Sequence, residues 1–142
     1  MSQSRTNARR TAVQALYQWQ MTGQNLVEIE RQFLEERRLD SSQISYFTEL
    51  FHGVPGQLDA IDEALAEFVD RPVAEIDPVE RAILRIGVYE LINCLDVPYR
   101  VVLNEGINLA KRFGASQSHR YVNGILDKIA RKRRAAEFGG VR

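Results

Sequence analysis

The chain has 142 residues, 44% of them hydrophobic and 27% charged, with a single cysteine, Cys94, and a formal net charge of zero. A chain of this size buries about 68–70% of its unfolded surface, so it can build a core without metal, and one cysteine excludes a disulfide framework or a cysteine-rich zinc site. No apolar run reaches the roughly 20 residues of a membrane span, the start Met1-Ser2-Gln3-Ser4-Arg5-Thr6-Asn7 lacks the apolar region of a signal peptide, and a cytoplasmic location is expected by exclusion.

The first expected element is a helix over 8–21. Ala8, Ala12, Ala15, Leu16 and Trp19 share one stripe of it at helical spacing. A shorter amphipathic helix follows from Leu26 to Leu39, on Leu26, Ile29, Phe33 and Leu34. Then Ile44, Phe47, Phe51, Val54, Leu58, Ile61, Leu65 and Phe68 step by 3, 4, 3, 4, 3, 4 and 3, an unbroken heptad seam. Ser41 or Ser42 is its expected N-cap. Pro55 removes a backbone donor in the middle, and Gly53 and Gly56 weaken the helix further. Because the seam keeps register across the proline, one long kinked helix is expected here. Three heptads are short for a coiled coil, so the seam reads as intramolecular core.

Asp77-Pro78-Val79-Glu80 marks the next helix start, with Asp77 as cap, Pro78 at the first helical position and Glu80 able to complete a capping box. The helix behind it is apolar nearly all round, on Ile83, Leu84, Ile86, Val88, Leu91, Ile92 and Leu95, so it belongs at the centre of a bundle. Gly87 would let a neighbour approach closely. Pro98 opens a helix carrying Val102, Leu103, Ile107, Ala110 and Phe113, capped by Gly114. Ser116 or Ser118 starts the last helix, with Val122, Ile125, Leu126 and Ile129 facing the core. It ends at Arg131-Lys132-Arg133-Arg134, and residues 135–142 are expected to be a disordered tail. No strand or hairpin signal is present. The expected fold is all-α, six or seven helices.

Nothing in this pattern requires an enzyme. His52 and His119 belong to no metal-ligand spacing, so no metal is expected. There is no phosphate-binding glycine loop and no nucleophile elbow, and hence no cofactor is expected. Carboxylate pairs such as Glu35-Glu36 and Asp62-Glu63 read as solvated faces, and Cys94 reads as a buried small hydrophobe.

The neutral total conceals an uneven distribution. Residues 1–27 hold Arg5, Arg9 and Arg10 and no acid, a charge of +3. Residues 28–80 hold fourteen acids against four arginines, a charge of −10, and residues 81–142 hold twelve lysines and arginines against five acids, a charge of +7. Two basic ends around an acidic middle point to a polyanion partner.

Helical geometry sharpens that. With about 3.6 residues per turn, Tyr17 falls opposite the apolar stripe of the first helix, beside Arg10 and Gln14. Arg9 lies at its edge and Arg5 precedes it. On the last helix Arg120, Gly124, Gln117, Lys128, Arg131 and Tyr121 share a second face away from the core. Arginine and lysine supply phosphate contacts, a tyrosine ring offers a stacking surface for an unpaired base, and glutamine bonds base edges. Single-stranded RNA suits these faces better than a DNA duplex, because no helix presents a run of donors to a groove.

Four stretches carry a family resemblance. They are Ala8-Arg9-Arg10-Thr11-Ala12-Val13-Gln14-Ala15-Leu16-Tyr17-Gln18-Trp19; Glu80-Arg81-Ala82-Ile83-Leu84-Arg85-Ile86-Gly87-Val88-Tyr89-Glu90-Leu91; Asp96-Val97-Pro98-Tyr99-Arg100-Val101-Val102-Leu103-Asn104-Glu105; and Ser118-His119-Arg120-Tyr121-Val122-Asn123-Gly124-Ile125-Leu126-Asp127-Lys128. In order and spacing the chain resembles the NusB family of transcription antitermination factors. The resemblance implies one all-helical RNA-binding domain over 1–134, made of two packed sub-bundles at about 1–70 and 71–134. It implies binding to the single-stranded boxA element of nascent ribosomal RNA. The implied partners are NusE, a small-subunit ribosomal protein, and NusA, NusG and RNA polymerase in the larger complex.

The RNA-contacting positions implied are Arg9, Arg10, Gln14 and Tyr17, and Gln117, Ser118, Arg120 and Tyr121, to which the helical faces add Arg5 and Lys128. Gln117 stands where relatives commonly carry an acid. Gly106 and Asn108 replace better helix formers and are expected to loosen their helix. Glu75, Glu80, Arg81 and Arg85 are the expected NusE surface, with intramolecular ion pairs as the other use of those charges. Two other readings stand beside this one. The same fold serves as the RNA-binding domain of certain ribosomal RNA cytosine methyltransferases, whose chains continue into a catalytic domain where this one ends at Arg142. A protein-only interaction bundle, forming a homodimer, is the second.

Overall fold

The computed structural model describes residues 2–139. It contains seven α-helices, two short 3-10 helices and, among the described residues, no strand. The chain divides into two compact units between Gly56 and Gln57. That boundary lies ahead of the one expected near residue 70.

The first unit holds α1 (Ser2–Thr22), α2 (Leu26–Glu36) and α3 (Ser41–Gly56). Ala8, Ala12, Ala15 and Leu16 are buried, as their spacing requires, while Trp19 is only half-buried. Both α2 and α3 pack on α1, which widens its covered arc to include Arg9, Thr11 and Val13. Asn25 caps α2 by accepting from the N–H groups of Val27 and Glu28. The cap of α3 is not a serine. Asp40 Oδ1 accepts from Gln43 N at 2.9 Å while Gln43 Oε1 accepts from Asp40 N at 3.0 Å, a reciprocal capping box.

The heptad seam does not run through one long helix. It ends at Gly56 in α3 and resumes in α4 (Leu58–Ala66), with Gln57 between them. Pro55, which has no N–H to donate, and Gly56, which favours no helix, together stop what either alone could bend. Phe47, Phe51 and Val54 on α3 and Ile61 and Leu65 on α4 are nonetheless fully buried within the chain. Ile44, Leu58 and Phe68 of the same seam are half-buried.

The second unit holds α4, a 3-10 helix over Val73–Glu75, α5 (Pro78–Asn93), α6 (Tyr99–Phe113), α7 (Ser118–Arg133) and a closing 3-10 helix over Ala135–Phe138. Asp77 accepts from Val79 N and Glu80 N and so starts α5. Every residue of α5 from Ala82 to Leu91 is buried, and α4, α6 and α7 all pack on it. Gly87 allows this crossing: a Cβ there would lie 2.8 Å from the Leu126 side chain. Gly106 does the same for α6, where a Cβ would come within 2.9 Å of Leu126. The glycine expected to loosen α6 is thus what lets α6 dock on α7.

The C-terminal end of α5 is closed by a distant residue. Arg134, 5% exposed, donates to the carbonyls of Leu91 (2.9 Å), Val97 (3.0 Å), Cys94 (3.1 Å) and Glu90 (3.2 Å). Its other partner is Glu137, whose Oε1 accepts from Tyr99 N at 3.0 Å at the start of α6. Phe138 stacks on Tyr99 with ring centroids 4.1 Å apart. The expected disordered tail is corrected accordingly over 135–138, which the Arg134–Glu137 and Phe138–Tyr99 contacts fold back onto α6. Residues 140–142 of that tail lie outside the described residues.

Candidate nucleic-acid interface

In the first unit, α1 sends neighbouring arginines to different environments. Arg9 is 1% exposed and its guanidinium lies 5.4 Å from the centre of the Tyr46 ring. Arg5, half-buried, lies 4.4 Å from the same ring. These are cation–π contacts that fix the start of α1 to α3. Direct RNA contact by Arg9, as expected from the sequence, is corrected by that burial. Arg10, one residue on, is half-buried, and among the described residues its guanidinium has no acidic partner.

Tyr17 is exposed, and Gln14 beside it is half-buried. Tyr17 is 39% exposed, and Met21, one turn on, is 54% exposed. Gln14 Nε2 donates to the Arg10 carbonyl at 3.2 Å, and Gln14 Oε1 accepts from Arg37 at 2.7 Å. Arg37 follows α2 and also lies over the Phe33 ring at 5.1 Å. It therefore adds a cation to this face that no helical wheel of α1 could reveal, since it arrives from another element.

In the second unit, Gln117, Arg120 and Lys128 are exposed along α7 and its N-cap position. Arg120 and Lys128 have no ion-pair partner among the described residues. Ser118 is different. It is 3% exposed, its Oγ accepts from Ala115 N at 3.0 Å, and it donates to Glu80 at 2.6 Å. A contact role for Ser118 is corrected by this burial: it joins α7 to the first turn of α5. Tyr121 is half-buried, its Oη is enclosed without a hydrogen-bond partner, and the Arg71 guanidinium lies over its ring at 5.4 Å. Burial pushes the phenol pKa up, against the opposing pull of the Arg71 charge. With Arg71 on the ring, Tyr121 is not the open stacking surface expected of it. Arg71 is itself paired with Asp70 through Nε (2.8 Å) and a second nitrogen (3.1 Å), so it reaches this ring from outside α7 with its charge already matched.

The four residues expected to meet a protein partner are mostly engaged internally. Arg85 is buried and bonds Asp62 through Nε (3.0 Å) and a second nitrogen (2.8 Å). Arg81 donates to the carbonyls of Ala74 and Ile76, and Glu80 accepts from Ser118. Their pairing is intramolecular, though with distant residues rather than with each other. Glu75 alone of the four is exposed. Among the described residues no group of three or more His, Cys, Asp or Glu side chains could hold a metal, and no helix is long and apolar enough to cross a membrane.

The model of the NusB family matches residues 6–131 of this chain. The chain belongs to the NusB family. A relative, the transcription antitermination protein NusB of Nitrosococcus oceani, is 55% identical over 140 residues, which cover 97% of this chain and 93% of that one. A solved structure of T. maritima NusB superposes with a TM-score of 0.86 at 29% identity, covering 95% of this chain and 96% of that one. A second solved structure, of antitermination factors NusB and NusE in complex with double-stranded RNA, matches with the same TM-score at 27% identity, covering 93% of this chain and 99% of that one. The all-helical NusB fold expected from the sequence is therefore the fold observed.

Proposed function

We propose that this chain is a transcription antitermination factor that binds the single-stranded boxA element of nascent ribosomal RNA together with NusE, in a cytoplasmic complex with NusA, NusG and RNA polymerase. The observation that carries the reading is the likeness, across nearly the whole chain, to a NusB solved with NusE and double-stranded RNA. Arg10 on α1 and the exposed Arg120 and Lys128 on α7, none with an acidic partner among the described residues, support it.

The mechanism is positional, and no bond is made or broken. Arg10, Arg37, Arg120 and Lys128 meet phosphates, which makes affinity fall with salt. Tyr17 stacks on a splayed base. Gln14 and Gln117 bond base edges. Arg5 borders the first face, while Arg9 and Ser118 hold it and the second face in shape. Tyr121 stacks only when Arg71 leaves its ring for a phosphate. Glu75 is the member of the expected NusE surface that is free to meet NusE. An exposed tyrosine favours an unstacked base, which a duplex does not offer, so the single strand is the proposed ligand.

The test is a titration of labelled boxA-type RNA, single-stranded and as a duplex, with and without NusE. The single strand binds more tightly than the duplex, and NusE tightens it further. Equal binding of both forms, or no effect of NusE, would overturn the reading.

A further inference from the structure

Gly124 lies inside α7 and is exposed. A glycine in a helix interior weakens it relative to alanine, because the free chain has more conformations to lose. Other glycines of this unit have internal reasons. Gly87 and Gly106 are needed because Leu126 would meet a Cβ at 2.8 and 2.9 Å. Gly139 has φ +70°, where a side chain is strained. Gly124 has neither reason: its φ is not positive, and a Cβ built there meets nothing within 4 Å. Packing and backbone conformation within the chain thus both leave it unexplained.

Its neighbours indicate what approaches. Gln117, Arg120, Gly124 and Lys128 are spaced by 3, 4 and 4 residues and form one exposed line down α7. Arg120 and Lys128 are separated by about 12 Å along the axis at 1.5 Å per residue, and Gly124 lies midway between them. Of the carboxylates beside this helix, Asp127 is engaged by Arg131 Nε at 3.0 Å, Asp70 by Arg71 at 2.8 Å and Glu80 by the Ser118 hydroxyl at 2.6 Å.

We infer that Gly124 is the point where the sugar–phosphate backbone of RNA lies directly against the α7 main chain, with Arg120 and Lys128 holding the phosphates to either side. This rests on the RNA-binding reading above. It assigns the glycine a role as a spacer: any side chain there lifts the RNA off both cations.

The experiment measures melting temperature and the affinity for labelled single-stranded boxA-type RNA of Gly124→Ala, Gly124→Leu and Arg120→Ala. Gly124→Ala raises Tm by about 3 °C, because it removes helix-weakening glycine, yet lowers RNA affinity by about 10-fold. Gly124→Leu lowers it further. Opposite signs on stability and binding are what a merely structural glycine would not give. If Arg120→Ala weakens binding but both Gly124 variants bind as the parent does, the spacer inference fails and the RNA reading stands. If Arg120→Ala has no effect, the RNA reading of this face fails. If the Gly124 variants weaken only NusE binding, the close neighbour is protein, and the inference is overturned.

Discussion

Replacing Arg10 with alanine removes a guanidinium that has no acidic partner among the described residues. The expected outcome is weaker RNA binding, a log–log salt slope smaller by about 0.7, and an unchanged melting temperature, read by anisotropy titration and calorimetry. Tyr17→Ala costs about 1–3 kcal/mol of RNA affinity if the ring stacks on a base, again without unfolding. Arg9→Ala behaves in the opposite way. Its loss empties a buried site against Tyr46, so stability falls. Arg85→Ala strands Asp62, and breaking a mostly buried bidentate pair costs about 3 kcal/mol. Thermal unfolding of these variants separates binding residues from supporting ones.

At the scale of elements, the starts of α5 and α6 and most of the apolar stripes are local facts and were legible, whereas the Asp40 cap of α3 and the start of α1 at Ser2 were not. Asp77-Pro78 starts α5, Pro98 precedes α6, and Ala8, Ala12 and Ala15 face inward because neighbouring residues alone determine them. What needed the fold is what one element does to another. Arg9 is buried because two helices cover α1, Tyr121 is covered by an arginine from a loop, and Arg134 caps a helix whose last residues lie some forty positions earlier. The break at Gln57 is a sum of two weak breakers that periodicity does not weigh. Arg134→Ala takes the donor from the Leu91 and Val97 carbonyls, while Glu90 and Cys94 keep a backbone N–H, so Tm drops; Arg134→Lys rescues little, because one ammonium cannot replace the guanidinium fork. Asp40→Ala lowers Tm and Asp40→Asn restores most of it. The Gln43 N–H holds the Asp40 carboxyl below its ordinary range, with the Ser42 hydroxyl adding to it. Its stabilisation is therefore complete above the unfolded carboxylate pKa of about 3.9 and is lost as pH falls through the lower folded value. An acid titration of Tm for the parent and the Asn variant checks the sign, since only the parent loses the cap.

Across the whole molecule, a net charge of zero is a cancellation between basic ends and an acidic middle. Under the proposed function that middle repels RNA lacking the recognised element, so neutralising acids within 28–80 raises affinity for unrelated RNA and lowers discrimination. Central to the proposed function is that Arg10 on α1 and the exposed Arg120 on α7 both bind RNA. The most direct measurement is the affinity for labelled single-stranded boxA-type RNA at two salt concentrations, for the parent, Arg10→Ala and Arg120→Ala. The parent binds tightly and in a salt-sensitive way, and each variant binds more weakly, with a flatter salt dependence at unchanged Tm. Absent binding by the parent, or variants whose salt dependence matches the parent's, would contradict it.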